Sequence, residues 1–213
     1  MAGTDAAARP RLTPKGHATR ERIIRAAAGL ISGRGVARTS IEDVRKAAGV
    51  SGSQMTHYFT DKQSLVRAVI GWQADQLAEF CTQPRLGGLD TFGALRQWAD
   101  LSIGRLAARH GAGGCDFGSL AGELAESGPA TRAELAAGYQ RWHGLLRAGL
   151  QAMRDRGELR ADADPGALAF ALLAAHQGGA LLSQAGRDVA PLRAALDAAL
   201  GYVQTFATGA ARQ

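Results

Sequence analysis

Apolar residues in this chain recur three and four positions apart almost from end to end, and the runs are opened by Ser, Thr, Asp or Pro and closed by glycine. That spacing is the signature of amphipathic helices, and the punctuation marks where each starts and stops. Ile23, Ile24, Ala27, Leu30 and Ile31 predict a first helix from about Thr19 to Ser32, stopped by Gly33 and Gly35. Ser40, with Asp43 three residues on, resembles a capping box and opens a short helix from Ile41 to Ala48 that ends at Gly49. Ser51 caps a third helix through Tyr58, and a gap containing Asp61 leads into a long helix from Lys62 to Cys81. Beyond Pro84 and Gly87–Gly88, helices are expected from Asp90 or Thr91 to about Arg109, Ser119 to Glu126, Pro129 to about Arg156, and Asp164–Pro165 to about Gln184. A last helix has Pro191 in its first turn and ends near Ala207. No segment sustains the alternation of a strand. The fold class is therefore all-α, about nine helices without an internal repeat.

Charge divides the chain unevenly. Residues 1–70 carry 12 Lys and Arg against 5 Asp and Glu, whereas residues 71–213 carry 13 against 14. The whole net charge of +6 thus belongs to the first third, which suits a nucleic-acid or anionic-membrane surface. Residues 1–17 lack periodicity and read as a flexible basic arm, residues 18–64 as a basic three-helix domain, and residues 65–213 as a larger helical domain without charge bias. With 46% apolar and 21% charged residues, the composition is that of a globular chain. No window holds eighteen consecutive apolar residues and no apolar stretch follows the N-terminal basic residues, so neither a membrane span nor a secretory signal is expected. The expected location is the cytoplasm.

The stretch from Ser40 to Tyr58 has the spacing of a helix-turn-helix: a short capped helix, a tight turn at Ala48–Gly49–Val50, and a second short helix. Ile41, Val44, Ala47, Val50 and Met55 are expected to pack the two together. Gly52, Ser53, Gln54, Thr56, His57 and Tyr58 are then left on or near the outer surface. Gln can form two hydrogen bonds with adenine, Ser is promiscuous, and the Thr methyl can meet a thymine methyl. Lys62, with the free N–H groups of its helix's first turn, would meet phosphate.

The run from Thr19 to Ile70, and within it TSIEDV, AAGVS, the pair Tyr58–Phe59 and the following Asp61–Lys62, resembles the DNA-binding domain of the TetR/AcrR family of bacterial transcriptional regulators. The resemblance implies that the third helix lies in the major groove, that the fourth links it to a larger effector domain, and that the protein acts as a homodimer. It makes Gly52, Ser53, Gln54, Thr56, His57 and Tyr58 the contact surface, and sets Thr39, Ser40 and Lys62 against the phosphate backbone. Gly52 stands where many members carry Lys, and Thr56–His57 replaces the commoner aromatic-containing pair, so base preference does not transfer.

The uncharged two-thirds suits a sensor. Trp72, Phe92, Trp98, Phe117, Tyr139, Trp142, His143, His176 and Gln177 are candidate effector-binding residues, because interhelical pockets are mainly apolar with a few placed polar groups. Each aromatic also suits plain core packing. The segment Gly114–Ala121, the Asp162–Pro165 start and the His176–Gly179 stretch loosely resemble a subgroup that controls multidrug-efflux genes and responds to flavonoid-like or antibiotic-like compounds. That likeness implies a small hydrophobic or aromatic effector and a dimer interface formed by the last two long helices. Leu168, Leu172, Leu173, Leu181, Leu182, Leu192, Leu196, Leu200 and Val203 agree, being apolar on more than one side, with Gly178–Gly179 permitting close approach.

No enzymatic constellation holds: there is no GxGxxG after a strand, no GKS or GKT, no HExxH and no CxxC. Neither cofactor nor metal is expected. Cys81 and Cys115 read as two reduced thiols, with Cys115 a packing residue or a redox-sensing one. The expected function is a ligand-responsive, sequence-specific DNA-binding regulator, a repressor released from a palindromic operator by its effector. The alternative is a basic membrane-surface or interaction module without sequence preference.

Overall fold

The computed structural model of the protein describes residues 12–209. They form nine α-helices and one 3-10 turn, with a single isolated β-bridge between Leu159 and Ala207. The chain divides into two compact units, Met1–Val69 and Ile70–Gln213.

The first unit holds α1 (Pro14–Arg34), α2 (Ile41–Ala48), α3 (Gly52–Tyr58) and the opening turns of α4 (Lys62–Cys81). Its core is Ile23, Ile24, Ala27, Ile31, Val44, Val50, Met55, Phe59, Leu65 and Val69, all buried. α1 starts five residues earlier than its apolar spacing predicts. Thr13 caps it by accepting a hydrogen bond from Gly16 N (3.2 Å), and Pro14 fits the first turn. The expected flexible arm therefore does not extend over residues 14–17; residues 1–11 lie outside the described residues. The expected packing partner Ala47 is exposed, and Ala48 takes its place in the core. Arg22, though exposed, secures that end by donating to the Ala48 carbonyl (2.9 Å).

The second unit contains the end of α4, the 3-10 turn Pro84–Leu86, α5 (Phe92–Ala107), α6 (Asp116–Leu124), α7 (Pro129–Asp155), α8 (Pro165–Gly186) and α9 (Ala190–Gln204). α8 packs against both α7 and α9, and the core runs through Trp98, Trp142, Leu146, Leu150, Met153, Leu168, Leu172, Leu196 and Leu200. By length and composition α8 could cross a bilayer, yet Leu168, Leu172, Leu173, His176 and Ser183 are buried within this unit. It is a core helix.

Three expectations need correction here. The short helix begins at Asp116 rather than Ser119, because the Cys115 thiol serves as its cap, accepting from Gly118 N (3.5 Å), while the Ser119 hydroxyl donates to Gly113 O (3.3 Å). The last helix ends at Gln204, since the following backbone is diverted into the Leu159–Ala207 bridge and the flanking bonds Arg160 N to Phe206 O and Thr208 N to Glu158 O. Gly179 serves contact within the chain: a Cβ there would lie 2.7 Å from Leu192 Cα. The buried Ser183 hydroxyl accepts from Leu192 N (3.1 Å) and fixes the same crossing of α8 and α9.

Candidate nucleic-acid interface and effector cavity

The turn between α2 and α3 is built from local chemistry. Gly49 adopts the left-handed conformation (φ 61°) that closes α2, and its N–H bonds back into the last turn. Both helices then start with reciprocal caps. The Ser40 hydroxyl accepts from Asp43 N (3.1 Å) while Asp43 accepts from both the Ser40 N–H and hydroxyl. Those bonds hold the Asp43 carboxyl below its ordinary range, the hydroxyl contributing most. In α3, Ser51 accepts from Gln54 N (3.2 Å) and the Gln54 carboxamide oxygen accepts from Ser51 N (3.0 Å).

On this platform Gly52, Ser53, Gln54, Thr56 and His57 are exposed and Tyr58 is half-buried, with the His57 and Tyr58 rings edge to face at 4.9 Å. Only Met55, on the opposite side of α3, is buried. The expected contact residues on α3 thus surround the buried Met55, all at least partly open and most carrying hydrogen-bonding groups. Two of them are partly committed. The Gln54 oxygen is held by its own helix, so the amide NH₂ is what this side chain offers outward, one donor group rather than the expected pair of bonds to adenine. The Thr56 hydroxyl donates to Gly52 O (3.0 Å), leaving its methyl outward.

The expected phosphate contacts fare differently. Lys62 is half-buried, and its ammonium group makes one long contact to Ala37 O (3.4 Å), leaving donors in hand. Ser40 is exposed but its hydroxyl proton is given to Asp43 (2.7 Å). Thr39 departs from expectation: it is only 3% exposed, and its hydroxyl donates to Gly35 O (2.8 Å), so its side chain pins the α1–α2 connection instead of facing outward.

In the second unit, α4, α5, α6, α8 and α9 line a half-open cavity of about 390 Å³. Trp72, Gln73, Gln76, Leu77 and Phe80 come from one face of α4, and Ser102, Arg105, Leu106 and Arg109 from one face of α5. Gly114, Cys115, Asp116, Phe117, His176 and Leu192 complete the wall. Of the candidate effector residues, Trp72, Phe117 and His176 line it.

The others do not, for separate reasons. Trp98 and Trp142 are core residues flanking His176, with ring centroids 5.7 and 4.9 Å away. Phe92 packs on the core, and Tyr139 stands edge to face with Phe117 at 4.9 Å; burial pushes its hydroxyl up to about 12. His143 bonds the Gly166 carbonyl (3.0 Å) and stacks on Phe170. Gln177 sits behind the wall, donating to the Cys115 sulfur (3.5 Å). Arg105, Arg109, Gln73 and Gln76 were not singled out by the sequence, where charged and amide residues on helices read as solvated; the i, i+3, i+4, i+7 spacing of Ser102, Arg105, Leu106 and Arg109 was the available signal.

His176 is 9% exposed, and its Nδ1 is buried without a hydrogen-bond partner. Burial brings its pKa down to about 4, so the imidazole is neutral near pH 7. Both cysteines are free thiols. Burial pushes Cys81 up to about 12, opposed by the indole N–H groups of Trp98 and Trp142, and it also raises Cys115. Neither thiol is primed as a nucleophile. No group of three or more His, Cys, Asp and Glu suited to a metal occurs among the described residues.

Residues 23–69 match the family described as bacterial regulatory proteins, tetR family, and residues 92–199 match the tetracyclin repressor-like C-terminal domain. The chain is 29% identical over 175 residues to the transcriptional regulator AcuR of Cereibacter sphaeroides, covering 81% of this chain and 80% of that protein. Among solved structures it is similar in fold to a regulatory protein TetR from Rhodobacter sphaeroides (TM-score 0.77, 24% identity, 86% of this chain and 98% of that one). A similar likeness extends to reduced NemR of E. coli (TM-score 0.75, 21% identity, 90% and 99%). A TetR regulator from Chloroflexus aurantiacus is also similar (TM-score 0.77, 24% identity, 92% and 98%).

Proposed function

For a chain that belongs to the TetR family of bacterial transcriptional regulators, and is therefore a helix-turn-helix DNA-binding protein and not an enzyme, we propose a repressor that leaves a palindromic operator when a small apolar or aromatic effector fills the 390 Å³ cavity. The observation that carries this reading is the set of exposed hydrogen-bonding groups of α3 on a fully packed three-helix platform. Gly52, Ser53, Gln54, Thr56, His57 and Tyr58 read base edges and sugar, while Lys62 holds phosphate. Two such helices in a homodimer reach successive major grooves about 34–36 Å apart. The protein works in the cytoplasm.

Pairing is supported by α8 and α9, which leave Phe170, Leu181, Leu182 and Tyr202 exposed, Leu181 at 66% and Leu182 at 62%. Large apolar side chains bared together on a packed core are the mark of an interface. The loose likeness of the Gly114–Ala121 segment to the flavonoid-responsive, multidrug-efflux subgroup supports an aromatic body for the effector, as do Trp72, Phe80 and Phe117 in the wall. Coupling runs through α4, whose first turn carries Lys62 and whose 72–80 face lines the cavity. An effector that favours a different placement of α4 opposes the operator reciprocally, and a coupling of about 1–3 kcal/mol changes affinity roughly 5- to 150-fold. Selection of bound sequences from a random duplex pool, followed by a screen for compounds that release the winning duplex, tests the proposal. Equal retention of all duplexes, with binding to anionic vesicles just as tight, would instead establish the membrane-surface alternative.

A further inference from the structure

The cavity wall is not electrically neutral. It contains two arginines, Arg105 and Arg109, and one carboxylate, Asp116. The two cations do different jobs. Arg109 is committed: it pairs with Asp116 (3.2 Å) and donates to the Gly114 carbonyl (2.8 Å), bracketing the end of α5 to the start of α6. Arg105 has no carboxylate partner among the described residues. Its guanidinium carbon lies 4.2 Å from the Phe80 ring centroid, and its N–H donors are open at the exposed rim of the cavity. The ring contact restrains the guanidinium, so less freedom is lost when it binds.

His176 lines the same cavity, nine-tenths buried and neutral near pH 7, so it adds no charge to that of Arg105. Trp72, Leu77, Leu106 and Phe117 form the apolar part of the wall. We infer that the effector is a small monocarboxylic acid with an apolar or aromatic body, its carboxylate taken in the fork of Arg105 and its body held against Trp72 and Phe117. This rests on the reading of the cavity as the effector site. A carboxylate matches a planar fork with two parallel N–H···O bonds. One uncommitted cation with Asp116 close by suits a single negative charge better than a doubly charged phosphate. The volume is at the small end for ligand pockets, which run from about 300 to 1,000 Å³.

The test uses the full-length protein and defined probes. Hexanoate, benzoate and phenylacetate are titrated by calorimetry, each beside its primary amide, into the wild type and into Arg105→Gln, Arg105→Lys and Gln76→Trp. Gln76 is a half-buried lining position, so tryptophan there fills the cavity from its rim, and melting temperatures verify that each variant is folded. At least one acid is expected to bind at least tenfold more tightly than its amide. Arg105→Gln should weaken that acid by roughly ten- to a hundredfold, the scale of losing a hydrogen-bonded charge, with little effect on the amide, and Arg105→Lys should fall between. Amides that bind as well as acids, acids indifferent to Arg105→Gln, or no acid binding at all would overturn the anionic class. Acid binding that survives Gln76→Trp unchanged would overturn the cavity reading itself.

Discussion

Two glycines on one helix should respond to the same substitution with opposite signs. In α7, a Cβ at Gly138 would lie 2.8 Å from Phe117 Cε2, closer still to Cζ, and 3.3 Å from Ala74 Cβ. Ordinary carbon contacts are about 3.5–4.0 Å, so the ring must retreat by roughly 1 Å. Phe117 is buried and meets the Tyr139 ring edge to face, so its one direction of retreat is into the cavity it lines. Overpacking of this kind costs about 1–3 kcal/mol, against which alanine recovers about 0.8–1 kcal/mol of helix propensity. The net expectation for Gly138→Ala is a loss of about 0–2 kcal/mol, a fall in melting temperature of up to roughly 8 °C for a chain of this size. At Gly144, six residues along, nothing lies within 4 Å of the added carbon, so Gly144→Ala keeps the propensity gain and should raise the melting temperature by roughly 2–4 °C. Both are measured by calorimetric or circular-dichroism melts at one protein concentration, because self-association shifts the midpoint. A Gly138→Ala protein stabilised as much as Gly144→Ala would refute the packing argument, and a destabilised Gly144→Ala would refute the propensity argument.

Other outcomes are expected with different readouts. Gln54→Ala should weaken operator binding and broaden its choice; Gln54→Glu, which keeps the acceptor for Ser51 N–H but removes the amide donors, should lose selectivity while retaining α3, and a footprint identical to wild type would count against the readout. Lys62→Ala should weaken all duplexes about equally and flatten the salt dependence of binding. Leu182→Arg should give monomers in light-scattering chromatography and abolish operator binding; a dimer of normal affinity would move the interface elsewhere. His176 has a folded pKa of about 4 against an ordinary 6.5, so the unfolded chain takes up its proton first. Stability is then full above about pH 6.5 and declines as pH falls toward 4, by at most about 3 kcal/mol. Urea midpoints at several pH values should show a shallower slope for His176→Gln, and an unchanged slope would contradict the burial argument. Native Cys81 should resist alkylation at neutral pH and react on denaturation, as mass spectrometry can follow.

Helix limits were readable in the sequence wherever the cap is a hydroxyl or carboxylate followed by apolar spacing. α2, α3 and α4 fall at the predicted residues because Ser40, Ser51 and Asp61 use standard local bonds, Asp61 accepting from Ser64 N (2.6 Å). The limits drifted where the cap is unusual or the pull is tertiary: Cys115 is not a residue one reads as a cap, and the end of α9 is set by a bridge to residue 159, far away in sequence. Site prediction divided the same way. The exposed residues of α3 follow from helical geometry once Met55 is known to be inside. The cavity does not, because whether an aromatic on a helix is wall or core depends on which neighbour it meets; Trp72 and Phe117 face space while Trp98 and Trp142 face each other's helices across His176. Thr39 was misassigned because a bond to a carbonyl four residues back has no marker in a single sequence.

The joint at which the Ser183 hydroxyl meets Leu192 N–H, with Gly179 drawn up to the backbone of α9, makes the two helices a single plank. Its inner side is committed to the core, whereas Leu181 and Leu182 on the outer side are largely exposed, as are Phe170, stacked on His143, and Tyr202, edge to face with Phe206. If the proposed pairing uses that outer side, changes at those few positions would alter it while leaving the core side of both helices intact.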